Sequence, residues 1–129
     1  MKRTCSLCLV FLTALVFASC QKNFNHYREL IYGTWELTSV DGMIPENPDR
    51  LYFKTSTAVT LTQDGSHYEG QYQFYCNVLT TYFEKKEDLY QEWRVITLKD
   101  SLMSAVVEFC ETAEGEQETG SVLEYRKMP

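Results

Sequence analysis

The chain is poor in the residues on which most protein chemistry depends. It has two histidines, His26 and His67, and neither stands in a His-x-x-x-His or Cys-x-x-Cys spacing that would cage zinc. No Gly-x-Ser-x-Gly elbow and no glycine-rich phosphate loop occurs, so the usual marks of acyl transfer and nucleotide binding are missing. No catalytic residue, cofactor or metal is therefore expected, and the chain reads as a binding protein, not an enzyme. Basic residues are scarce, 12 against 18 acidic ones, for a formal net charge of −6. A surface of that sign repels phosphate backbones, which argues against a nucleic-acid partner. Three prolines and six glycines leave no low-complexity tract and no long linker. Nor does any apolar run reach the ~20 residues that a helix needs to span a bilayer. The longest, Leu7 to Phe17, would rise only roughly 16 Å as a helix.

That short run follows Lys2 and Arg3, the pattern of an export signal. It closes on Phe17-Ala18-Ser19-Cys20, which resembles the lipobox of bacterial lipoproteins, where small residues precede a cysteine whose thiol receives a diacylglycerol. Phe17 stands where Leu or Val is commoner, a variation similar to that of Bacteroidota-type lipoproteins. The resemblance implies a signal peptide over 1–19, lipid on Cys20, a membrane tether with a short helical turn over 20–32, and one domain over 33–129. Gln21 is not the aspartate of inner-membrane retention, and 21–25 holds no acidic export cluster. The implied place is the outer membrane, facing the periplasm. Without Lys2 and Arg3, ten basic residues would face 18 acidic ones, about −8.

What is abundant points to strands. Nine Tyr, seven Phe and two Trp, with many β-branched residues, suit pleated surfaces. Phe24, Tyr27, Leu30 and Ile31 keep helical spacing, and from Gly33 the period drops to two. Asp41-Gly42 is a turn pair that stops the first strand ahead of a loop, and Asp64-Gly65 closes a hairpin. Between His67 and Tyr75, Tyr68, Gly70, Tyr72 and Phe74 share one face while His67, Glu69, Gln71 and Gln73 share the other. Further runs at 78–83, 89–98, 102–109 and 122–127 complete about eight strands with no helical crossover. The expected fold is all-β, an antiparallel up-and-down eight-stranded barrel, since closure covers one apolar face and removes sticky edges.

Gly33-Thr34-Trp35 opens the first strand after a helical turn, and about ninety residues later the last strand ends on Arg126 and Lys127. This arrangement resembles the lipocalin superfamily, in which the tryptophan plugs the barrel base beneath an arginine of the last strand. The resemblance implies a base motif of Gly33, Trp35 and Arg126, with Lys127 next in line, and a small hydrophobic ligand. Lys99-Asp100-Ser101 stands where the second lipocalin signature would lie, and no long helix follows the last strand. Gly-x-Trp together with Cys76-Asn77 is also similar to META-type domains of envelope lipoproteins. Tyr68, Tyr72, Phe74, Trp93, Val95, Met103 and Phe109 face inward by parity and either line a ligand pocket or fill the core. Cys76 and Cys110 are a candidate disulfide, although parity sets them on opposite faces. Glu111, Glu114, Glu116 and Glu118 read as a solvated hairpin connection. An acidic outer face that docks a protein partner is the second functional expectation.

Overall fold

The computed structural model describes residue 24 and residues 26–129. The expected signal peptide and the lipid site at Cys20 lie outside the described residues. One helical turn, α1 (Tyr27–Leu30), precedes β1 (Gly33–Val40), β2 (Arg50–Phe53), β3 (Ala58–Gln63), β4 (Ser66–Tyr75) and β5 (Val78–Phe83). The chain continues through β6 (Leu89–Leu98), β7 (Leu102–Thr112), the two-residue β8 (Gly115–Glu116) and β9 (Val122–Lys127). All pairings are antiparallel, each strand bonding to the next from β1 to β7. β9 then joins β7 to β1, so eight strands close on themselves as expected, and β8 is a tab on the end of β7.

Alternation decides the inside. On β4, Tyr72 and Phe74 are buried while His67, Glu69, Gln71 and Gln73 are exposed. Gly70 sits on the inward face because a Cβ there would lie 2.4 Å from the Tyr82 carbonyl and 2.5 Å from the Phe83 ring. Three residues break the alternation. Thr38, Ile96 and Glu108 each stand opposite no partner where the register shifts. Such bulges add an unpaired residue and turn the following side chains to the other face.

The lower barrel is a solid core. Phe53, Val59, Leu79, Val95, Met103 and Ala105 are almost wholly buried there. α1 caps this end with Tyr27, 5.8 Å from the Phe74 ring, and the adjoining Ile31 is fully buried. Trp35 is also fully buried, and its Nε1 donates to the Ile31 carbonyl at 2.8 Å. The cation over its ring is Lys127, whose Nζ lies 5.5 Å from the centroid and 3.5 Å from the Leu30 carbonyl. This corrects the expectation for Arg126. Register pairs Lys127 with Trp35, whereas Arg126 pairs with Glu36 and is exposed. Gly33 makes room for this contact: its φ is +115°, and a Cβ would come within 2.7 Å of Lys127 Cε.

Candidate functional site

The opposite end of the barrel is open. Its mouth is formed by the connections 41–49, 64–65, 84–88 and 113–121, and beneath them lies a cavity of about 260 Å³. Inward side chains of every barrel strand except β4 wall it. Leu37, Leu51, Leu61, Phe83, Leu89 and Leu123 give an apolar surround, and the Trp93 ring stacks on Tyr125 at 5.7 Å and 23°.

Polar groups are set into this apolar wall. At the mouth, Asp49 is fixed by its backbone, whose carbonyl accepts from Leu37 N at 2.8 Å. Gln63 Nε2 donates to Asp49 Oδ2 at 3.1 Å. Burial raises the Asp49 pKa above its ordinary 3.8, against the lowering effect of the Gln63 hydrogen bond, and Asp64 pushes the same way as burial. Burial, and after it the Asp49 charge, also raises the Tyr125 pKa. On β6, Gln91 faces inward and its Nε2 lies 3.6 Å from Cys110 Sγ. Two polar atoms in the wall, Thr81 Oγ1 and Trp93 Nε1, are buried without a hydrogen-bond partner among the described residues. Leaving such an atom unpaired costs about 1–3 kcal/mol.

The residues expected to form the pocket do not stay together. Trp93 lines the cavity. Val95 and Met103 are packed into the floor beneath it, and Tyr72 and Phe74 into the lower core. Tyr72 crosses Phe53 edge-on at 4.9 Å and donates to the Thr55 carbonyl at 2.5 Å, while burial pushes its pKa up to about 12. Tyr72 and Phe74 also border a lateral recess of about 260 Å³ beside α1, with Arg28, Tyr32, Ser56 and Thr57. Tyr68 is half-buried under Lys86, whose Nζ lies 5.1 Å from its ring centroid.

Phe109 corrects the expectation that it faces the pocket. The bulge at Glu108 turns it outward, where it meets Tyr90 edge-on at 5.8 Å. The same bulge brings Cys110 inward. Cys110 is a free, buried thiol, so the expected Cys76–Cys110 bridge is absent. The polar wall residues Asp49, Gln63, Thr81 and Gln91 were missed. Their signal was parity: Gln91 shares the face of Trp93 and Val95, and Thr81 the face of Leu79 and Phe83.

No protein-family model matches the chain, and no curated protein matches it. Among solved structures the chain is similar to a redesigned β-barrel, with 11% identity and a TM-score of 0.46 over 79% of this chain and 94% of that one.

Proposed function

We propose that the protein is a lipid-anchored, non-enzymatic envelope protein, lipocalin-like in build, whose open-ended lumen holds a small, largely hydrophobic molecule. The observation that carries this reading is the 260 Å³ cavity, walled by apolar side chains with Asp49, Gln63 and Gln91 set among them. Binding sites of this kind are mostly apolar with a few fixed polar groups. The Gly33, Trp35 and Lys127 arrangement at the base supports the lipocalin likeness, with lysine in place of arginine. The lipobox-like Phe17-Ala18-Ser19-Cys20 supports the anchor, and Gln21 the outer membrane with the barrel in the periplasm.

Native mass spectrometry of protein recovered from cells tests the ligand. A bound small molecule that also raises the melting temperature when added back is the expected result. A bare mass, with no thermal shift from any hydrophobic probe, would overturn it. For the anchor, Cys20→Ser is expected to abolish palmitate labelling and release the protein from the membrane fraction.

One observation favours a second reading. The mouth connections carry Asp41, Glu46, Asp64, Glu87, Asp88 and Glu114 among other acids, against only Lys85 and Lys86. A ring of one sign suits docking of a cationic protein. Such a partner would be captured from envelope extracts at low salt and lost at high salt.

A further inference from the structure

We infer that the ligand of this lumen is a compact amine, an apolar body with an ammonium group held at the mouth by Asp49 and Glu118. The inference rests on the lumen reading above and adds the ligand's charge and size.

Size is the first constraint. A cavity of about 260 Å³ falls just under the ~300 Å³ at which drug-sized sites begin, so it takes a one-ring molecule more readily than a long acyl chain. Charge is the second. The cavity is lined by two carboxylates, Asp49 and Glu118, and by no lysine or arginine. Lys86 acts on Asp49 as a weaker, pKa-lowering charge but does not line the cavity, so a ligand carboxylate would meet Asp49 and Glu118 as like charges at the wall, which disfavours it. An ammonium meets the opposite situation. Gln63 occupies Asp49 Oδ2, which leaves Oδ1 open among the described residues, and the acidic connections around the mouth attract cations toward it.

The third constraint is the shape of the wall. The stacked Trp93 and Tyr125 rings, with Phe83 in the same wall, provide aromatic surfaces for a flat apolar body. The burial that penalises the Asp49 charge adds to the case, because a bound cation offsets that penalty.

Three probes separate the possibilities: tyramine, 4-ethylphenol and 4-hydroxyphenylacetate share a ring and a phenolic oxygen and differ in charge. Titration of the mature chain by calorimetry, followed in parallel by tryptophan emission, is expected to rank tyramine at least tenfold above 4-ethylphenol, with the acid weakest. Asp49→Asn is expected to erase the preference for the amine, and its circular dichroism and melting temperature check that it is folded. Equal or tighter binding of 4-ethylphenol or the acid, or an anionic molecule co-purifying from cells, overturns the charge assignment and leaves the lumen reading standing. Failure of all three probes together with a bare native mass overturns both.

Discussion

Thr81 is the one polar residue among those buried in the described chain, at 1% exposure, and its hydroxyl has no partner there. Valine has nearly the same shape without the unmet group. Thr81→Val is therefore expected to stabilise the unliganded barrel by about 1–2 kcal/mol, read from the urea midpoint at unchanged slope. A loss of stability would mean that water or a ligand already pairs with the hydroxyl. Asp49 gives a pH-dependent counterpart. Its folded pKa is raised, so the stability it contributes is complete below its ordinary 3.8 and is lost as pH rises through the folded value. Asp49→Asn should consequently raise the melting temperature at neutral pH, and the gain should shrink as the pH is taken below about 4. At the base, Gly33→Ala forces a side chain into φ +115° and against Lys127 Cε. A cost of about 1–2 kcal/mol is expected by urea unfolding, with Lys127 displaced from the Trp35 face.

At the scale of the strands, the bulges separate what could be read from the chain and what could not. The alternation of β4, the Asp-Gly turns and the Gly33-Trp35 opening are local patterns, and each is where periodicity placed it. Asp41 and Gly42 have φ of 51° and 82°, and Asp64 and Gly65 have 51° and 81°, which is why Asp-Gly fits both turns. The bulge at Glu108 has no local mark, because it arises from how β7 is shared between β6 and β9. Glu108 ion-pairs with Arg94 outside the barrel, while Phe109 and Cys110 exchange faces behind it. The polar part of the candidate site is illegible for a related reason: Thr81, Gln63 and Gln91 stand at inward parity among leucines and aromatics, where composition marks them as surface residues. Deleting Glu108 should restore strict alternation and carry Phe109 inward and Cys110 out. Labelling of the folded protein with a maleimide, followed by mass spectrometry of the Cys110 peptide, should then change from protected to reactive; continued protection would show that the bulge relocates.

For the whole molecule, closure means that no barrel strand is left with an unpaired side, since the β6–β7 and β9 pairings use both edges. The charges are not spread evenly over this closed surface. The mouth is acidic, and the base carries Arg28, Lys54, Lys99, Arg126 and Lys127 against Glu29 and Asp100. Association of a cationic probe with the mouth should therefore slow as ionic strength rises from low to physiological values, with dissociation changed less. Stopped-flow fluorescence measures both rates, and an association rate indifferent to salt would argue against steering. The capping turn α1 adds a directional consequence. The chain enters the barrel at its plugged floor, where Phe24 packs 5.1 Å from Tyr27, so any upstream leash pulls on the floor and never on the rim. With strands of about ten residues tilted as in other barrels, the entrance stands roughly 25 Å from that leash. Under the lipid anchor proposed above, a molecule captured there would come from, and return to, the water and not the bilayer.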